Sequence, residues 1–125
     1  MNATTKAHVR ERAGHRCEYC LLRQEDSPLA ALHVEHIIPR CHGGSDELKN
    51  LALACIDCNL HKGPNLTGLD PETEQVTPLF HPRLHSWEEH FEWQGIYLAG
   101  RTALGRTTIR VLHVNSEDQL ALRSS

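Results

Sequence analysis

Two Cys-x-x-Cys pairs, Cys17/Cys20 and Cys55/Cys58, constrain this chain more than any other feature. Two thiolates spaced by two residues can sit on one metal without strain. Two such pairs complete a tetrahedral shell with zinc–sulfur bonds of about 2.3 Å. A closed four-cysteine shell leaves no position for water, so such an ion holds a fold together and does no chemistry. The fifth cysteine, Cys41, lies beside His42 and Gly43 in a loop-like stretch and reads as a lone thiol. An odd cysteine count, with no export signal in the first twenty residues, argues against a disulfide framework and for the cytoplasm. A thioredoxin-like redox pair is the competing reading. It requires a strand before the pair, whereas Cys17 follows Gly14-His15-Arg16, read as a short helical run.

The two pairs are separated by 34 residues, more than the roughly 12–20 of a compact zinc finger. Something substantial is therefore threaded between the halves of the metal site. Leu32 to Ile38 reads as a strand ended by Pro39, Arg40 to Asp46 as a loop, and Asn50 to Ala54 as a second strand. A short helix follows over Ile56 to Lys62, stopped by Gly63-Pro64. Upstream, Thr4 and Thr5 are positioned to cap a helix over about Lys6 to Ala13, with Gly14 as its stop.

At 125 residues the chain is read as a single domain, 1–125, with a core over 11–64 and an extension over 65–125. In the extension, Asn65 to Phe80 is rich in turn residues and is expected to wrap the surface. Ser86 and Glu89 form a capping-box pattern before a helix over Trp87 to Trp93. Gln94 to Gly100 reads as a strand, and Thr102 to Val114 and Ser116 to Leu122 as helices. Neither half alone buries much apolar area, so the extension is expected to fold back on the core. The fold class is thus α+β.

The insert between the cysteine pairs carries chemistry. Glu35 and Asn59 both offer oxygen, the preference of Mg²⁺ or Mn²⁺. His36, with an ordinary imidazole pKa near 6.5, can take a proton from water at neutral pH. Together these are parts for metal-assisted attack of water on a phosphodiester, with Arg40, His61 and Lys62 available to flanking phosphates. His33 shares a strand face with Glu35 and could assist the metal or a phosphate, or simply be solvated. With 13 Lys and Arg against 16 Asp and Glu, the chain has a formal charge of −3. It has no basic excess with which to coat nucleic acid, so any such contact must be local.

At these residues the sequence resembles the HNH endonuclease family. The resemblance runs through Cys17-x-x-Cys20, Val34-Glu35-His36-Ile37-Ile38-Pro39, Gly43-Gly44, Asn50-Leu51 and Cys55-x-x-Cys58-Asn59-x-x-Lys62-Gly63. It covers about Glu11 to Pro64, with a softer likeness through Leu79-Phe80-His81-Pro82 to Trp87 in small bacterial members. It implies a ββα-metal (His-Me finger) core stapled by structural Zn²⁺ and an α/β extension. His36 would be the general base. Asn50 would hold the loop that aims it, and Asn59 and Glu35 would ligate a catalytic Mg²⁺ or Mn²⁺. Lys62 would touch phosphate. Glu35 stands where the family more often has Asp, and Asn59 where it more often has His; the latter favours Mg²⁺ or Mn²⁺. The implied reaction cleaves DNA to a 5′ phosphate and a 3′ hydroxyl, with RNA left open. The acidic balance implies weak intrinsic affinity, so target choice would need a partner or an unusual DNA structure.

Three other histidines, His81, His85 and His90, have poor spacing for one ligand face and read as structural or surface. Trp87, Phe91 and Trp93 read as core rather than as a base-stacking platform. No run approaches the roughly 18 apolar residues of a membrane span. A non-catalytic, zinc-stabilised module that docks nucleic acid or protein remains the alternative to a nuclease. It would have no use for Glu35, His36 and Asn59 together.

Overall fold

The computed structural model describes residues 1–124. Helix α1 spans Ala3–Arg12 and starts earlier than the threonines suggested, because Asn2 is its cap: the Asn2 side chain accepts from the Thr5 amide at 2.9 Å. Gly14 and His15 both take left-handed backbone (φ 64° and 55°), so the expected helical run there is a turn that leads into the first cysteine pair. Arg16 and Arg23 bridge across that pair and close it into a knuckle.

Strands β1 (His33–His36) and β2 (Leu51–Ala54) pair antiparallel, with Glu35 opposite Ala52 and His36 opposite Leu51. Each is shorter than the expected run. All four residues of β2 are buried, and only Glu35 of β1 is. Helix α2 (Ile56–Lys62) follows directly, and Cys55 caps it by accepting from the Cys58 amide. The product is a ββα unit whose helix begins inside the cysteine cluster.

The extension departs further from expectation. Its first stretch forms a hairpin, β3 (Thr67–Leu69) with β4 (Val76–Pro78), rather than an irregular wrap. Helix α3 is only Trp87–His90. Ser86 makes no cap, its hydroxyl donating to Glu88 instead, and the capping box does not form. Strand β5 (Phe91–Gln94) takes over and pairs with β6 (Tyr97–Gly100) through a turn at Gly95, φ 64°. Phe91 is accordingly buried as the first residue of a strand, while Trp93 is 41% exposed under the Arg123 guanidinium. The expectation that Trp93 is core is thus corrected: it shares the strand face of Phe91, but it stands at the rim of the core, against Trp87 and Arg123.

Helix α4 (Ala103–Val111) is capped by Thr102. Its β-branched Thr107 and Thr108 are accommodated because their hydroxyls donate back to Ala103 and Leu104 carbonyls at 2.8 Å. Helix α5 (Glu117–Ser124) closes the described chain. The extension does pack on the core. Phe80 sits edge-on to Tyr19, Trp87 Nε1 donates to the Tyr19 carbonyl at 2.9 Å, and one buried apolar cluster runs from Val9 to Val114. None of the described helices is long and apolar enough to cross a membrane.

Candidate functional site

Cys17, Cys20, Cys55 and Cys58 are all buried, with their sulfurs within 4.8 Å of one another. Cys20 and Cys55 Sγ are 3.7 Å apart. Four sulfurs at about 2.3 Å from one zinc would be separated by about 3.8 Å, so the cluster fits the ion. Burial pushes the Cys17 thiol up, and shared sulfur contacts push Cys58 up while holding Cys55 down. Four thiolates this close ionise together only around a cation. Gln119, fully buried on α5, adds an N–H donor 3.3 Å from Cys55 Sγ. Cys41 is exposed and stands apart.

The cysteine cluster fixes the start of α2 against the β1–β2 hairpin, and the candidate chemistry lies beyond it. Glu35 points inward. Its Oε1 accepts from the Tyr19 hydroxyl, and its Oε2 lies 3.1 Å from Lys62 Nζ. The same ammonium donates to the carbonyls of His36 at 3.2 Å and Ile37 at 2.9 Å. Lys62 is 3% exposed, so it is not available to a phosphate as the sequence suggested. Its place in the last turn of α2 aims it under the hairpin. Burial pushes the Glu35 carboxyl above the usual carboxylate range, against the pull of Lys62.

Asn59 sits one turn before Lys62 on the same face of α2 and is half-buried. Glu35 and Asn59 present the hard oxygen donors a divalent ion takes. The carboxylate, however, already has its counter-charge in Lys62, so loading an ion on Glu35 requires an exchange of cations.

His36 is the side chain that emerges at the end of β1, next to the loop. Its Nε2 lies 2.6 Å from Asp46 Oδ1, and its side chain is 19% exposed. Arg40 donates to both Asp46 oxygens at 2.8 Å. These two partners hold the Asp46 carboxyl below the usual range, His36 foremost. Asn50 acts as a clamp. Its Oδ1 accepts from Ile38 N at 2.9 Å, while its Nδ2 donates to the Ile38 and Ser45 carbonyls at 3.0 and 2.8 Å. Gly44 makes that closure possible, because a Cβ there would fall 1.7 Å from the Ile38 carbonyl oxygen.

The remaining expected residues are scattered around this center. His33 is exposed at the far end of β1. His42 Nε2 lies 3.0 Å from the Pro64 carbonyl. His61 stacks on His113, ring centroids 4.1 Å apart. His81 and His85 line a 420 Å³ cleft with Ile38, Lys62 and Phe80. Burial lowers both imidazoles, and each Nδ1 accepts a backbone amide, so they are held as structural groups. The sequence reading missed Asp46, Tyr19 and Gln119. Asp46 alone left a signal, a carboxylate at the end of the glycine loop that follows His36.

Comparison with known proteins agrees with the segment so described. The HNH endonuclease family model matches residues 17–65. The Septu protein PtuB of Bacillus thuringiensis is 28% identical over 117 residues, covering 92% of this chain. The chain spans 42% of that relative's length. No solved structure matches.

Proposed function

We propose, from the match of residues 17–65 to the HNH endonuclease family model, that this protein is a metal-dependent endonuclease that hydrolyses DNA phosphodiester bonds. The observation that carries the reading is the Asn50 clamp, which fixes the loop beside His36 at the loop end of the hairpin. His36 takes a proton from the attacking water. Arg40, two-thirds exposed, is placed to meet a phosphate oxygen near His36. His33 and His61 lie on the same unit and offer weaker contacts. Glu35 and Asn59 are the residues that would hold Mg²⁺ or Mn²⁺, with Lys62 withdrawing from the carboxylate. When bound, the ion supplies positive charge at the phosphate and the leaving 3′ oxygen.

A second reading draws on Lys62. Because its ammonium already neutralises Glu35, the same fold could serve as a zinc-stabilised module that docks nucleic acid or protein without cutting it. Plasmid nicking by the parent and by His36→Ala, each with added Mg²⁺ or Mn²⁺, separates the two. Cutting by the parent alone supports the nuclease. Equal nicking by both removes His36 as the base, and cutting by neither favours the docking module. Repeating the assay on duplex, single-stranded and branched DNA and on RNA defines the substrate.

A further inference from the structure

We infer that Asp46 is the positioning residue for His36, fixing which ring nitrogen meets the attacking water. The inference deepens the nuclease reading and rests on it. A neutral imidazole has one N–H and one lone pair, and a carboxylate can only accept. The 2.6 Å contact between His36 Nε2 and Asp46 Oδ1 therefore puts the proton on Nε2 and leaves the lone pair on Nδ1. The reacting nitrogen is then Nδ1.

Three features keep the carboxylate in place. Arg40 binds both of its oxygens at 2.8 Å, which tethers the group and balances its charge. The preceding carbonyl, of Ser45, accepts from Asn50 Nδ2. Gly44 lies so close to the end of β1 that its amide donates to the Pro39 carbonyl at 3.0 Å. The loop thus delivers Asp46 to the imidazole from the opposite strand connection, ten residues away in sequence.

The consequence for the reaction is direct. Nδ1 takes one proton from water, and the hydroxide oxygen forms the new bond to phosphorus. The bond from phosphorus to the 3′ oxygen breaks, its electron pair leaving on that oxygen, which takes a proton from solvent. His36 is then an imidazolium whose Nε2–H faces a carboxylate, and it returns the Nδ1 proton to solvent before the next turnover. Asp46 holds the ring in one orientation while that proton is transferred, without touching the substrate.

The test uses the full zinc-loaded chain. Single-turnover nicking is measured for the parent, Asp46→Ala and Asp46→Asn, together with long-range ¹H–¹⁵N correlation of the His36 ring at pH 8. The parent ring should show an Nε2–H, and Asp46→Ala a mixture of tautomers. The maximal single-turnover rate constant of Asp46→Ala should fall about 100-fold, with the half-saturating enzyme concentration within about threefold, on the scale of general-base effects. Asp46→Asn, which keeps an acceptor oxygen, should recover part of that loss. An Nδ1–H ring in the parent, or a parent-level single-turnover rate constant in Asp46→Ala, overturns the inference. A parent that cuts nothing but shows the Asp46-dependent Nε2–H overturns the hydrolytic reading and leaves the orienting contact standing.

Discussion

Lys62 shows how one side chain can reverse a role suggested by its neighbourhood in sequence. Its position after the second cysteine pair suggested a phosphate contact, yet its ammonium is enclosed by the Glu35 carboxylate and two carbonyl oxygens. Removing one member of a buried ion pair leaves the other charged and unpaired, which costs about 3–5 kcal/mol. Lys62→Met should therefore lower the unfolding free energy obtained from urea denaturation by an amount on that scale. Combining it with Glu35→Gln should restore a large part of the loss, because the orphaned charge is gone. The gathering of the four cysteines was legible in the sequence, since it depends on two local spacings, whereas a loop-holding Asn50 was only what the family resemblance implied. Asp46 left only a carboxylate at the end of the glycine loop and Tyr19 no signal at all: their partners lie 10 and 16 residues away and meet them only once the loop and the knuckle close.

Among the elements, the hairpin β1–β2 and helix α2 were legible because Pro39, Gly63 and the cysteines punctuate them. The extension was misread where local patterns compete. Trp87, Glu88, Glu89 and His90 do start a helix, but Phe91 onward pairs across Gly95 with Leu98 to Gly100, and the strand wins. The β3–β4 hairpin is docked on α4 through Asp70, which is fully buried and accepts from Arg106 at 3.0 and 2.9 Å. Those hydrogen bonds hold the Asp70 carboxyl well below the usual carboxylate range. A depressed folded pKa contributes stability that is present above the unfolded value of about 3.9 and is lost as pH falls below it. Melting temperatures from pH 6 down to pH 3 should consequently drop more steeply for the parent than for Asp70→Asn. Parallel curves would show that this ion pair does not dock the hairpin.

Taken as a molecule, the chain places its cysteine cluster where the core and the extension meet. Trp87 reaches the knuckle backbone at Tyr19, and Tyr19 reaches Glu35. From the other side, Gln119 of α5 donates to Cys55 Sγ. The tail's return to the core could be argued from buried area alone, but these particular contacts could not, because no spacing links residue 119 to residue 55. Hydrogen bonds to metal-bound groups commonly shift metal affinity by about 10–100-fold. Gln119→Leu should release zinc faster under thiol alkylation, and hydrogen exchange in α5 should rise with that release. Unchanged release would make Gln119 a packing group only.

A hairpin and helix beside four clustered cysteines place His36 at the loop end of the hairpin, and the proposed phosphodiester hydrolysis turns on that imidazole. The proposed role of His36 is tested most directly by the ratio of single-turnover nicking rates for the parent and His36→Ala, both verified to carry one zinc per chain. His36→Ala should lose about 100-fold or more, the range of a removed general base. Equal rates at equal zinc content would contradict that role.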